Sequence, residues 1–296
     1  GSTFAFFGVN APFLLDASYP PERVEGVIAD LAARGVNTIR VWFFHDDDPA
    51  RLRAALDLGA RYGVRFVVVL GDNVNRGRDW LFGEEDSSTY RPHVERTVRR
   101  FADRPEILVW EPLNEPNCAD RYDQECLDTI AEWLAMAARL VRSADPCHLV
   151  SSGMIGAGNY PADRELYRRV HGMDEIGVLT VHRRTTEERP VESEVAAELD
   201  KPIYAGEVYD AAYDDGCQLV DGRSGLGRRA ERVKDDLRDS VKRGLDGYLV
   251  WDYAPGRVER ENETLHLCGP FSFTSGDPLW RLLAESGTIP AVPWRQ

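Results

Sequence analysis

The sequence predicts an α/β fold, a (β/α)8 TIM barrel forming a single catalytic domain over residues 1–296. Three observations predict it: eight short apolar runs separated by helical periods, a length that suits one barrel of about 250 residues plus loops, and two glutamates that each close an apolar run. With 43 % hydrophobic residues the chain has the apolar surface for one large core.

The runs lie near 4–9, 37–43, 64–70, 107–111, 148–152, 177–181, 202–206 and 247–251. Eight parallel strands close a barrel, and helical periodicity fills the intervals between them. After the fourth run, Leu127, Ile130, Leu134, Ala138 and Val141 recur at three- and four-residue steps; after the seventh, Leu226, Ala230, Val233, Leu237 and Val241 do the same. Each set predicts a helix with one buried stripe. Gly35, Gly63 and Gly244 stand where helices stop ahead of strands, a C-cap position that favours the left-handed conformation. Pro146 and Pro202 end two further helices, because the residue before proline is pushed out of the helical region. The longest loops, 71–90, 153–163, 209–225 and 252–276, all follow strands, and in a parallel barrel such loops share the face where ligands bind. The rival architecture is an open doubly wound sheet. It lacks its usual nucleotide signature here, since no Gly-x-Gly-x-x-Gly follows the first strand and no Walker lysine is present.

The net charge of −14 and the absence of a long basic stretch argue against nucleic acid and anionic polymers as partners, and favour a neutral ligand. No run approaches the roughly 18 apolar residues of a membrane span. Cys118, Cys126, Cys147, Cys217 and Cys268 contain no C-x-x-C pair, so no zinc or thioredoxin-type site is expected. Two readings stay open for them: two disulfides with Cys147 as a buried thiol, as suits a secreted protein, or five unrelated thiols. A secreted or extracellular address is the expectation, with a cytoplasmic one left open.

The chemistry lies at strand ends. Glu115, in Trp110-Glu-Pro-Leu-Asn-Glu-Pro116, and Glu207, in Ile203-Tyr-Ala-Gly-Glu207, supply the two carboxylates that retaining glycoside cleavage needs, one as acid and one as nucleophile. Such a pair works when its surroundings separate the two pKa values, with the acid in the less polar setting. Arg40, in Thr38-Ile-Arg-Val-Trp42, shares a strand face with Trp42, and a buried arginine needs an anion. Glu207 is the expected partner, held ionised by it; an internal salt bridge that only tunes the core is the alternative. Asn114 offers an amide to a sugar hydroxyl, and His182 ends the sixth run where it can donate to a hydroxyl or to the nucleophile. Trp251 offers a platform for a pyranose ring or a core tryptophan. Asp72 and Asn73 bind a hydroxyl or form a turn. His45-Asp-Asp-Asp48 reads as a solvated turn ahead of Pro49 rather than a ligand set, so neither metal nor cofactor is expected, and Ser151-Ser152-Gly153 lacks the Gly-x-Ser-x-Gly elbow of a serine hydrolase.

These residues resemble glycoside hydrolase family 5 and the wider clan of (β/α)8 retaining hydrolases. Leu113-Asn-Glu-Pro116 resembles the family's acid/base motif and Ile203-Tyr-Ala-Gly-Glu207 its nucleophile motif, while Arg40, His182 and Trp251 match its arginine, histidine and tryptophan on strands two, six and eight. Within the family, Phe7-Gly-Val-Asn-Ala11, Gly35-Val-Asn-Thr-Ile-Arg-Val-Trp42 and Val109-Trp-Glu-Pro-Leu-Asn-Glu-Pro116 are similar to β-mannanase-like members. The resemblance implies a carbohydrate substrate, double displacement at a β-linked and mannan-type glycan, and no cofactor. Other β-glycans, an acidic cell-wall glycan, transglycosylation and a non-catalytic glycan-binding barrel are the competing readings. One departure stands out: the family usually carries a tyrosine two residues beyond the strand-six histidine, donating to the nucleophile, and here that residue is Arg184. Tyr209, two residues after Glu207, is the candidate replacement.

Overall fold

Each of the eight apolar runs is a strand in the computed structural model, which describes residues 5–72, 89–117, 124–157, 163–185, 187, 190–212, 219, 222–259, 264–267 and 271–286. In chain order the elements are β1 (Phe6–Asn10), α1 (Pro21–Ala33), β2 (Thr38–Trp42), α2 (Pro49–Tyr62), β3 (Arg65–Val69), α3 (Arg91–Phe101), β4 (Ile107–Glu111), α4 (Gln124–Ala144), β5 (Leu149–Val150), α5 (Asp163–His171), β6 (Leu179–Arg184), α6 (Pro190–Leu199), β7 (Ile203–Tyr209), α7 (Gly222–Lys242), β8 (Gly247–Trp251), β9 (Gly256–Glu259), β10 (Thr264–Leu267) and α8 (Pro278–Ser286). The sheet runs β5-β4-β3-β2-β1-β8-β7-β6. Its two ends meet through Gly177 N–H to Val150 O at 2.9 Å and His182 N–H to Ile155 O at 2.6 Å. A strand flanked by parallel neighbours and covered by helices is buried on both faces, which is why these strands read as continuous apolar runs.

The helix signals act as expected. Gly35, Gly63 and Gly244 all have positive φ, at 87°, 72° and 87°. Asp48 caps α2 by accepting from Ala50 N–H, and Asp47 accepts from Phe44 N–H, so the acidic turn ahead of Pro49 organises a helix start. All five stripe residues of α4 are buried. In α7, Ala230, Val233 and Leu237 are buried, but Val241 is 48 % exposed. The stripe fails there because the helix ends one residue later, at Lys242. Gly256–Glu259 and Thr264–Leu267 pair as antiparallel strands inside a segment expected to be loop, with Val258 opposite Leu265.

Between sheet and helices lies the main apolar core. A smaller cluster of Phe6, Val67, Leu108, Val109, Val178, Tyr204 and Leu249 packs separately from it within the sheet. Cys147 is exposed and free, which corrects the buried thiol expected there: it lies outside α4 in the turn after Pro146, where nothing packs over it. Cys126 is buried and disulfide-bonded; Cys118, Cys217 and Cys268 lie outside the described residues, as does Asn73.

Candidate active site

The apolar filling of the barrel gives way to a buried polar layer at the strand C-termini. Asn10 on β1, Arg40 on β2, Glu111 on β4, Tyr204 and Glu207 on β7 and His182 on β6 are all at most 2 % exposed. Arg40 lies at its centre. Its Nη1 donates to Glu207 Oε1 at 2.6 Å and to Asn10 Oδ1 at 2.9 Å, and its Nη2 to Asn114 Oδ1 at 2.6 Å. Nη2 and Nε both reach Glu111 Oε1, the latter at 3.2 Å. These bonds engage every guanidinium nitrogen, so the cation is fully compensated. Burial alone would lower its pKa, but the charges of Glu111 and Glu207 hold it above the ordinary arginine value.

Arg40 does pair with Glu207, as expected, but it has a second anion that the sequence reading did not assign. Glu111 accepts from Arg40 on one oxygen and from Ser151 Oγ (3.0 Å) and Tyr204 OH (2.8 Å) on the other. The signal was present: Glu111 is a carboxylate inside an apolar strand, and the argument that a buried charge needs a partner applies to it as it does to Arg40. Asn10, a polar residue ending β1, follows by the same logic. Its Nδ2 donates to Gly206 O (2.9 Å) and Val250 O (3.2 Å), tying the arginine's acceptor to the strands beside the nucleophile position.

Replacing Arg40 with Met strands two buried carboxylates together. The expected loss at neutral pH is about 3–5 kcal/mol, a fall in melting temperature on the order of 10 °C. Burial already pushes the Glu207 carboxyl up with the cation in place, so without Arg40 it carries its charge at a greater cost and the variant loses stability as pH rises through the unfolded carboxylate value. Thermal melts at pH 4 and pH 7 check this: the deficit against wild type is smaller at pH 4.

A bulge in β7 places the second carboxylate. Val181 pairs with Ala205 and His182 with Glu207, so Gly206 is the extra residue, and the pairing with β8 shifts at the same point. Tyr204 already bonds into the polar layer; simple alternation would turn Glu207 out, and the bulge brings Glu207 and Tyr209 back in. Glycine is required because a Cβ there would lie 2.8 Å from Thr180 Oγ1 and 2.9 Å from His182 Nε2.

Glu115 reaches the same space from the turn after β4, with φ at +47°. An L-residue rarely adopts that conformation, and three hydrogen bonds hold it: Asn114 N–H to Gly71 O (2.8 Å), Glu115 N–H to Gly153 O (2.9 Å) and Asn117 Nδ2 to Glu115 O (2.9 Å). Gly153, itself at φ +67°, fits against Leu113 O, where a Cβ would come within 1.7 Å.

The two glutamates meet around His182 and Tyr209. His182 Nδ1 lies 2.7 Å from Glu115 Oε1 and 3.7 Å from Glu207 Oε1. Tyr209 OH donates a short hydrogen bond to Glu207 Oε2 and lies 3.3 Å from Glu115 Oε1. One oxygen of each glutamate and one ring nitrogen of His182 fall within 4.8 Å of one another. Burial pushes the Glu207 carboxyl up, and His182 and Arg40 only partly offset it. Burial also acts on Glu115, but the hydrogen bond and charge of His182, with Arg40 and Tyr209, outweigh it and hold Glu115 below the usual value. His182 is itself raised, because Glu207 and Glu115 overcome its burial. This ordering is the reverse of the one expected. The physical reason is burial, which is greater for Glu207 than for Glu115: both carboxyls feel the charges of His182 and Arg40, but only Glu115 takes the histidine's hydrogen bond.

Aromatic residues complete the mouth. Trp42 and Trp251 meet edge to face with centroids 5.6 Å apart, the Arg40 guanidinium lies 4.4 Å from the Trp42 centroid, and Tyr209 packs beside Trp251 at 6.2 Å and Phe271 at 5.5 Å. Trp251 is half-buried, as a platform open on one side would be. Trp42 Nε1 has no partner among the described residues. Asn114 is committed to Arg40 through its oxygen, leaving its amide with Asp72 Oδ1 as a long 3.4 Å acceptor. Arg184, across the sheet from Tyr209, is exposed.

Comparison with known proteins finds relatives of both the sequence and the fold. A family profile described as GH family 5 beta-mannosidase-like matches residues 91–204, a stretch that includes Glu115 and His182 and stops before Glu207. Mannan endo-1,4-beta-mannosidase 8 of Oryza sativa subsp. japonica is 29 % identical over 89 % of this chain and 90 % of its own length. Mannan endo-1,4-beta-mannosidase F of Aspergillus clavatus is 26 % identical over 53 % of this chain, and the match spans only 45 % of that protein. Among solved structures, the endo-beta-1,4-mannanase of Thermotoga petrophila superposes with a TM-score of 0.77 at 17 % identity, covering 100 % of this chain and 79 % of that one, which establishes the shared barrel. The chain shares the barrel of these enzymes, and in motif and profile it is similar to glycoside hydrolase family 5 proteins of the β-mannosidase-like kind.

Proposed function

We propose that the protein is a retaining glycoside hydrolase that cleaves β-linked mannan-type chains by double displacement. The observation that carries this is the approach of the Glu115 and Glu207 oxygens to within 4.8 Å around His182. A separation on the order of 5 Å lets one carboxylate attack the anomeric carbon directly, whereas inversion needs roughly 6.5–9.5 Å to admit a water.

Glu207 attacks the anomeric carbon, and the bond to the leaving oxygen breaks as Glu115 protonates that oxygen. Glu115 Oε1 is occupied by His182 and Tyr209, which leaves Oε2 to carry the proton to the leaving group. In the second half Glu115 takes a proton from water, the resulting hydroxide oxygen attacks the anomeric carbon, and Glu207 departs. Arg40 and Tyr209 hold Glu207 in line; Trp251 and Trp42 receive the sugar face, and Asn114 Nδ2 donates to a hydroxyl beside the reacting carbon. A bound sugar removes water and strengthens each of these contacts.

Tyr209 here does from strand seven what the family's strand-six tyrosine does, and position 184 is released for arginine. Tyr209→Phe removes one donor from the nucleophile, and kcat/KM should fall by roughly 10- to 100-fold, the scale of a hydrogen bond to a charged group, with little change in melting temperature. Steady-state kinetics on a soluble mannan checks it.

The reading itself is tested by incubating the protein with β-mannan and β-glucan and following the anomeric proton of the first product by NMR. Mannan cleavage with a β-product at first is expected. Binding without cleavage would support a glycan-binding barrel, and an α-product would replace retention with inversion.

A further inference from the structure

Glu111 is a third carboxylate in a site whose reaction uses two. It is fully buried and has acceptor contacts on both oxygens, all from donors: Arg40 twice, Ser151 and Tyr204. A carboxyl whose every neighbour donates is held as an acceptor, so Glu111 sits there as an anion opposite the cation that also holds Glu207. The two anions meet Arg40 at different nitrogens. Glu207 takes Nη1, while Glu111 takes the Nε–Nη2 edge. Among the described residues its hydrogen-bond partners are Arg40, Ser151 and Tyr204, all buried.

We propose, building on the reading of Glu207 as nucleophile, that Glu111 is a positioning residue: it locks the Arg40 edge and takes up part of the guanidinium charge, leaving Glu207 the more weakly held and more nucleophilic carboxylate. One cation facing one anion would bind it tightly and dull it as a nucleophile. One cation facing two leaves each with less. Tyr204 and Ser151 belong to the same device, since their hydroxyl dipoles steady the Glu111 charge and stop it from drawing Arg40 away. The other groups that face Glu207 are His182 from β6, Glu115 from the turn after β4 and Tyr209 from β7.

The sign follows from charge. Glu111→Gln keeps the shape and removes the negative charge, so Arg40 acts on Glu207 as an undivided cation, and Glu207 loses its proton at lower pH. The acid limb of the kcat/KM profile should move down by about one pH unit, and the glycosylation step, read in single-turnover experiments with an aryl β-mannoside, should slow. Tyr204→Phe combined with Ser151→Ala should move the same limb the other way, because two positive dipole ends are lost from the layer. This second variant retains the Arg40 ion pairs and keeps the test usable if Glu111→Gln does not fold. Carboxyl 13C NMR of glutamate-labelled protein, with the Glu207 signal assigned by its loss in Glu207→Gln, follows the same titration without any turnover. It therefore separates this inference from the proposed activity: an inactive wild type would sink the hydrolase reading, while the Glu207 titration would still report on Glu111. Opposite shifts in the two variants are the expected result. An acid limb and a Glu207 titration that stay at their wild-type positions in both, whatever happens to the melting temperature, would reduce Glu111 to a scaffold residue and overturn the proposal.

Discussion

Glu207→Gln lowers the glycosylation rate by roughly 10⁵- to 10⁶-fold, the scale on which loss of a catalytic nucleophile acts, while leaving the protein folded. The structure explains both halves. Glutamine keeps the side-chain volume and still accepts from Arg40, so the polar layer stays packed, but an amide oxygen cannot form and release a glycosyl ester. The shorter Glu207→Ala opens the space between Arg40 and Tyr209 in which a small anion fits. Azide should restore turnover there and give a glycosyl azide of inverted configuration, because a single displacement replaces two. If Glu207→Gln kept near-normal turnover on mannan, the nucleophile would have to be sought elsewhere, with Glu111 and Glu115 the carboxylates nearest to hand.

Glu115→Ala produces a different pattern, and the difference identifies its role. General acid catalysis contributes roughly 10²- to 10⁴-fold, and it matters most when the leaving group is poor. With mannan the full loss is expected. With an aryl β-mannoside whose phenol is acidic, glycosylation should be nearly spared, and the intermediate should accumulate because no base activates water. Azide should then speed turnover and give the retained azide, opposite in configuration to the product from Glu207→Ala. The hydrogen bond from His182 that holds Glu115 low gives a further expectation: Glu115 must carry its proton when substrate is bound, so the pH profile of kcat should extend to higher pH than that of kcat/KM.

Much of the barrel was legible because its rules are local. The alternation of apolar runs with helical stripes, and glycines at Gly35, Gly63 and Gly244, report backbone requirements that each segment carries by itself. Glu115, Glu207, Arg40 and His182 were legible for a related reason: a charged or polar residue inside an apolar run has few explanations. What was missed depended on geometry between elements. The inward turn of Tyr209 follows from the Gly206 bulge, which only strand pairing reveals, because a one-residue shift reverses every side chain beyond it. The reversed electrostatic order of the two glutamates depends on their burial and on where His182 and Arg40 stand against them, which only the closed barrel sets. Val241 and Cys147 failed at helix ends, where periodicity and spacing say nothing of where the neighbouring surface stops.

The central claim is that Glu207 carries the sugar between the two displacements, and covalent trapping tests it most directly. A 2-deoxy-2-fluoro mannosyl fluoride of β configuration slows both steps, yet its fluoride leaves readily without acid assistance, so the glycosyl-enzyme should accumulate. Intact mass should rise by one fluorosugar, and peptide mapping should place the label on Glu207 within Pro202-Ile-Tyr-Ala-Gly-Glu-Val208. A label on Glu115 or Glu111, or complete turnover with no adduct and an α-product, would contradict the account.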